Sequence, residues 1–428
     1  MPPTPRVWQV CEDCGHRLPD DAADSLCPLC SGLLSIEHPA PPEATVTLRA
    51  RFDGRCCMTS PAAMQSGVWR FAEVVHPNAE HLVSYPEGNT PLLSRPTVQR
   101  FADCEGLLLK HEGMNPTGSF KDRGMTVGVT QALRLGATAV ACASTGNTSA
   151  SLASYAALAG IPALVFVPAG QIALGKLTQT LAYGARTLLV RGDFDTCLAL
   201  ARESSAKLGI YLLNSVNPWR VEGQKTIVFE LLQQLGWDPP QWIALPAGNL
   251  GNTAAFGKAL REMFGWGLIS RLPRLLAVQA AGASPFASSF DTGFTEHHRV
   301  KAETVATAIK IGDPASYNRA VAAIRESNGI VTKVTDAEIL EAKATIDAAG
   351  VGCEPASAAS VAGVRRLVRD GIISRDDRVV AILTGHVLKD SGILQWFHQD
   401  ASPPPVGANR PLEIEASVGA VERVLQGR

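Results

Sequence analysis

Lys121 stands directly behind the run Asn115-Pro116-Thr117-Gly118-Ser119-Phe120, at the point where a helical pattern begins. A lysine so placed can act as nucleophile or base, because burial and the positive end of a helix dipole both favour its neutral amine. Asp122 and Arg123 beside it read as structural, pairing elsewhere in the fold. A second stretch, residues 246–256 (PAGNLGNTAAF), sets Gly248, Asn249, Leu250, Gly251 and Asn252 between an expected strand and an expected helix. Glycines there let backbone N–H groups approach an anion, and a helix start complements its charge, so this loop reads as a phosphate cradle. It has neither the lysine of a P-loop nor the spacing of a dinucleotide fingerprint.

Residues 143–151 (ASTGNTSAS) repeat the construction with Ser144, Thr145, Gly146, Asn147 and Thr148. Capping a helix needs one such residue; three hydroxyls and an amide exceed that need and suit a carboxylate or phosphate. In residues 213–220 (LNSVNPWR), Arg220 offers a planar fork matched to phosphate, just beyond a strand-end turn. Near the N-terminus, Cys11, Cys14, Cys27 and Cys30 form CxxC-x12-CxxC. Two such knuckles suit tetrahedral, closed and therefore structural coordination of zinc.

These residues need elements to hold them. After residues 1–40, a cysteine-bearing, zinc-ribbon-like module that runs out into the proline-rich HPAPPEAT, the chain is mixed to about residue 105. Residues 85–93 (YPEGNTPLL) read as a turn. From residue 106 strands and helices alternate: GLLLKHE, TAVACAS, IPALVFVP, ARTLLVRG, IYLLNS, QWIALPAGN, RLLAVQAAG and DRVVAILTG as strands. Helices are expected over MTVGVTQALRLG, SASLASYAALAG, VEGQKTIVFELLQQLG, NTAAFGKALREMFG, DAEILEAKATIDAAG and SAASVAGVRRLVRDG. That order predicts an α/β fold with mostly parallel sheets. Ligands in such folds sit beyond the carboxyl ends of strands, and five polar loops leave apolar strands there: KHEGMNPTGSFK, ASTGNTSAS, LNSVNPWR, LPAGNLGNT and LTGH. The last 30 residues, 399–428, read as an extension with one short helix.

Composition narrows the partners. Of 428 residues, 46% are apolar and 18% charged, with a formal net charge of −1, so nothing suggests nucleic acid or an anionic membrane. Residues 135–175 contain no charged side chain or histidine, but glycines and prolines divide them. They read as a buried helix and buried strands rather than a membrane span. The N-terminus has no signal-like apolar run, and the ten cysteines are not spread as a disulfide framework, which places the chain in the cytoplasm.

Six stretches, NPTGSFKDRG, STGNTSAS, GQIALGKLTQTLAYGA, LNSVNPWRVEGQKTIVFELLQQLGW, PAGNLGNTAAFGKAL and TAIKIGDPASYNRA, together resemble threonine synthases, pyridoxal-phosphate enzymes of the tryptophan-synthase-β family. The resemblance runs over residues 85–395. It implies a two-domain fold type II architecture over residues 41–398, with open, mostly parallel sheets, helices on both faces, and a smaller subdomain over roughly residues 122–215. It implies that Lys121 holds pyridoxal phosphate as a Schiff base and then shuttles protons. Asn147 would bond the cofactor's ring hydroxyl oxygen, residues Gly248, Asn249, Leu250, Gly251 and Asn252 its phosphate, and Thr384 its pyridine nitrogen. Ser144, Thr145 and Asn147 would border the substrate's α-carboxylate; Thr148, Asn214, Ser215 and Arg220 would receive the substrate's own phosphate. The substrate so implied is O-phosphohomoserine, converted with water to threonine and phosphate by a homodimer. Glu354 lies near the ring or serves structure alone. A relative acting on phosphoserine, a threonine or serine dehydratase, and a non-catalytic paralogue are the alternatives; the last two fit poorly with Arg220 and with an intact Lys121.

Overall fold

Uninterrupted apolar runs separated by helical periods produce two parallel sheets. In this computed structural model, residues 6–56, 60–170 and 177–426 are described. Residues 171–176, part of the GQIALGKLTQTLAYGA stretch, lie outside the described residues. The larger sheet has the order Ile330–Val334, Arg274–Ala280, Trp242–Pro246, Val379–Leu383, Leu107–His111, Leu92–Ser94, parallel except for the last strand. The smaller has the order Arg186–Val190, Ala163–Pro168, Ala139–Ala143, Ile210–Leu212, all parallel. Trp242–Pro246, Val379–Leu383 and Ala139–Ala143 are buried at every position, as strands covered on both faces must be. The charge-free run therefore becomes Ala139–Ala143, the helix Asn147–Ala159 and Ala163–Pro168. No helix among the described residues is long and apolar enough to cross a membrane.

Two expectations need correction. YPEGNTPLL is not turn throughout, because Leu92–Ser94 pairs antiparallel with Leu107–His111 as an edge strand. The helix expected from Val221 begins at Pro218. Asn217 caps it, accepting from Trp219 N at 3.1 Å and Arg220 N at 3.3 Å, and proline is favoured at the first helical position. Arg220 thus occupies a helical first turn instead of the turn before it.

The N-terminal segment forms a three-stranded antiparallel ribbon, Arg17–Pro19, Trp8–Cys11 and Leu34–Glu37. It belongs to the same compact unit as both sheets, residues 1–389. Asp20 accepts from Arg134 Nη1 at 2.9 Å, on a helix beside the smaller sheet, and Lys258 donates to Ile36 O beside the larger one. Residues 390–428 form a second unit with a short terminal helix, Val418–Leu425.

Candidate active site

Three carboxylates decide where Lys121 stands. Arg123 Nε meets Glu112 Oε2 at 2.7 Å and its Nη2 meets Glu230 Oε1 at 2.9 Å, all fully buried. Lys110 adds a 2.5 Å contact to Glu230, and Asn115 Nδ2 donates to Glu112 at 2.9 Å. Asp122 accepts from Thr117 N at 2.7 Å, Thr117 Oγ1 at 2.6 Å and Ser151 Oγ at 2.6 Å. A buried pair cut on one side is costly, so the loop before Lys121 is held at both flanks. Asp122 and Arg123 are structural partners here, as their sequence context suggested.

Lys121 opens the helix Lys121–Arg134 and its Nζ has no hydrogen-bonding partner among the described residues; it lies 4.1 Å from the Phe120 ring centre. Although its surface is partly accessible, crowding by protein dominates. Burial, then the charge of Arg220, push its ammonium down to about 7 against the pull of Glu354. Arg220 is fully buried; one nitrogen donates to Leu213 O at 3.0 Å, while Nε and Nη2 have no partner among the described residues. Burial lowers its guanidinium to about 10. A desolvated guanidinium with two donors to spare suits an anion.

The five loops meet. Phe120 N donates to Thr384 O at 3.0 Å, and Ser119 bridges Gly385. Asn147 Nδ2 donates to Glu354 Oε2 at 3.0 Å, and Thr384 Oγ1 lies 3.1 Å from Glu354 Oε1. Asn249 Nδ2 donates to Ser215 Oγ at 2.7 Å. Asn214 does not stand free, because its amide accepts from Ala143 N at 3.1 Å and donates to Ala143 O at 3.4 Å. Ser144 Oγ accepts from Gly146 N at 3.3 Å; Thr145 and Thr148, half-buried, have no side-chain partner.

The glycine-rich loop is built for close approach. A Cβ on Gly248 would lie 2.9 Å from Ile309 Cα, and Leu250 adopts φ +62°, a strained left-handed conformation for a branched residue. Behind it, Asn252 Oδ1 and Thr253 Oγ1 are buried without partners in the first turn of the helix Gly251–Gly265. The Thr253 hydroxyl, which can donate, the cradle's backbone and a lysine pushed down to about 7 fit a phosphorylated carbonyl cofactor.

Glu354, the cap residue of the helix Pro355–Arg369, joins these loops from outside them. Only the glutamate before Pro355 and the helix start could have signalled it.

The four N-terminal cysteines also converge. Cys11 and Cys30 Sγ are 3.4 Å apart, Cys14 and Cys27 Sγ 3.7 Å, and all four sulfurs lie within 4.8 Å. Tetrahedral zinc with bonds of about 2.3 Å needs sulfur edges of about 3.8 Å, so this set fits the ion. Burial raises the Cys11 thiol, but N–H groups of Cys14 and Asp13 outweigh it and bring it down to about 7. A second group, His38, Glu222 and Glu262, is instead an ion-pair network. Lys225 meets Glu222 at 2.5 Å and Glu262 at 2.7 Å, and Lys258 also binds Glu222.

Residues 83–385 match the family described as "Pyridoxal-phosphate dependent enzyme". Threonine synthase of Methanosarcina acetivorans is 47% identical over 420 residues, covering 98% of each chain. The chain belongs to the threonine synthase family of pyridoxal-phosphate dependent enzymes. Threonine synthase of Mycobacterium tuberculosis is 48% identical, over 79% of this chain and 91% of its own. The crystal structure of Escherichia coli threonine synthase shares the fold, with a TM-score of 0.65 at 18% identity, covering 95% of this chain and 96% of its own. The family to which the chain belongs uses pyridoxal phosphate as its cofactor.

Proposed function

We propose that this chain is a threonine synthase that converts O-phosphohomoserine and water to threonine and inorganic phosphate. The observation that carries the reading is Arg220: a fully buried guanidinium with two unpartnered nitrogens, close enough to Lys121 to depress its charge. A dehydratase acting on free threonine has no second phosphate for such a group to receive.

In this reading Gly248, Asn249, Leu250, Gly251 and Asn252 cradle the cofactor phosphate, while Asn147 and Thr384 border its ring. When bound, pyridoxal phosphate supplies a conjugated electron sink beside the substrate's Cα. Lys121, whose ammonium is pushed down to about 7, takes the Cα proton as a neutral amine, gives that proton up, and only then, neutral again, helps to remove a Cβ proton. Arg220, with Thr148 and Ser215, holds the phosphate as it departs from Cγ. Asn214 acts one step back, keeping the loops at Ala143 and Ser215 together. Lys121 returns a proton to Cγ, and water adds at Cβ. Ser144, Thr145 and Asn147 hold the substrate carboxylate through these steps.

The Cys11, Cys14, Cys27 and Cys30 set holds structural zinc. The catalytic region is residues 41–398, with the smaller subdomain over roughly 122–215 and the extension over 399–428. A homodimer follows from the family resemblance and is checked by sedimentation. The deciding assay offers O-phosphohomoserine and phosphoserine separately and follows phosphate and threonine. Cofactor-loaded protein that releases no threonine from the first overturns the reading; turnover of the second alone makes it a phosphoserine enzyme.

A further inference from the structure

Thr384 Oγ1 carries one hydrogen and two lone pairs. Two groups surround it: Ser357 Oγ at 2.9 Å and Glu354 Oε1 at 3.1 Å. Ser357 Oγ already accepts from Gly385 N at 3.0 Å, and its other acceptor, Gly385 O, is distant at 3.5 Å. Of its two acceptors Thr384 Oγ1 is the nearer, and a hydrogen directed there leaves the other contact of Thr384 to Glu354. Glu354 Oε2 accepts from Asn147 Nδ2 at 3.0 Å, which leaves Oε1 to settle the matter. With a proton on Oε1, both lone pairs of Thr384 are taken and its own hydrogen must turn outward. With Glu354 ionised, the Thr384 hydrogen goes to Oε1 and the hydroxyl turns a lone pair outward instead.

We propose that Glu354 is a positioning residue, held protonated, that makes Thr384 a hydrogen-bond donor and fixes the Asn147 amide beside it. The geometry confines this carboxyl closely. A Cβ on Gly385 would lie 2.4 Å from Glu354 Cδ, so the backbone there is cut to the carboxyl's shape. Glu354 is buried and makes no ion pair among the described residues, and burial, the largest influence on it, raises its carboxyl from the ordinary value against hydrogen bonds from Asn147 and Thr384. The charged groups facing it are Lys389 and Lys121, and Cys353 adjoins it on its own segment. This inference rests on the reading that Asn147 and Thr384 border the cofactor ring. A donor at Thr384 leaves the pyridine nitrogen without a proton of its own and tempers the ring's electron demand.

Infrared difference spectra of the apo-protein, wild type against Glu354→Gln, test the proton without any cofactor. A carbonyl band of a protonated carboxyl is expected in the wild type at pH 7, absent from the variant, and lost as pH rises. No such band overturns the proposal even where the active-site reading stands. Thr384→Val removes the acceptor and keeps the shape; it shifts the band, and an unshifted band also overturns the proposal. The second readout is the affinity of apo-protein for pyridoxal phosphate across pH. Wild type gains a weakening step as Glu354 ionises. Glu354→Gln, whose amide donates to Thr384 and accepts from Asn147 at every pH, lacks that step, and Glu354→Ala binds roughly tenfold more weakly. The same step in wild type and Glu354→Gln overturns the proposal.

Discussion

Asn249 Nδ2 donates to Ser215 Oγ at 2.7 Å, so the glycine-rich loop after Trp242–Pro246 is tied to the loop after Ile210–Leu212. The first belongs to the larger sheet and the second to the smaller one. Asn249 is itself pinned, since its Oδ1 accepts from Ala315 N at 2.7 Å. Binding at one phosphate locus is therefore expected to be felt at the other. Ser215→Ala should raise KM for the phosphorylated substrate about tenfold and, because the bond to Asn249 is lost, also weaken cofactor binding about fivefold. A double-mutant cycle with Asn249→Ala should give a coupling of about 1 kcal/mol; additive effects would show that the bond links nothing.

Arg220 is expected to destabilise the empty fold and to stabilise the filled one. Arg220→Met removes a buried charge with two unpartnered nitrogens, so the variant's melting temperature without ligand should match or exceed that of wild type. Inorganic phosphate should raise the wild-type value and leave the variant unmoved. In turnover the variant should lose on the order of a hundredfold in kcat/KM, the scale of a charge-assisted pair, while keeping bound cofactor. A variant that melts lower and still responds to phosphate would contradict this.

Lys121 must be neutral to react with a carbonyl, and its ammonium is pushed down to about 7. The rate of cofactor attachment to apo-protein should rise about tenfold per pH unit below that value and level off above it. Stopped-flow absorbance checks the profile. Lys121→Ala should show no covalent attachment and turn over at least about a thousandfold more slowly. Arg220→Met, which removes the neighbouring charge, should move the midpoint upward. An unmoved midpoint would mean that burial alone sets it.

Zinc should be present at one ion per chain and should be lost in Cys11→Ser or Cys27→Ser. Metal removal should lower the melting temperature by several degrees, because the ribbon's sheet leans on a small sulfur-centred core. Elemental analysis beside calorimetry reads both. A metal-free chain that melts unchanged would show that the ribbon folds without the ion.

Much of this site is legible in the chain because its loops carry an excess of polar residues over what turns need. Lys121, Asn147, Asn249 and Thr384 each follow a largely apolar strand, and the burial of the last three of those strands is written in their lack of charge. The helix start at Pro218 was also legible, in Asn217-Pro218, yet the polar run VEGQK drew the boundary three residues late. Leu92–Ser94 was missed because an edge strand needs only three residues and one paired face. Glu354 could not be assigned, because a carboxyl that bridges Asn147 and Thr384 depends on residues 207 and 30 positions away. The partner relations are what local pattern leaves out: it shows which side chains are available, not which of them share a proton.

The bonds that Ile36 O and Asp20 of the ribbon segment accept, from Lys258 and Arg134, reach the flanks of two different sheets. Where it docks, Lys258 and Glu222 are sealed from water. A version of this enzyme begun near residue 41 would not be the same machine with an ornament removed. It would turn an interior face into an exterior one, with a lysine and a glutamate placed for neighbours that are no longer there. A form without the ribbon would have to rewrite positions 222 and 258, so the ribbon's presence is recorded in residues far from it along the chain.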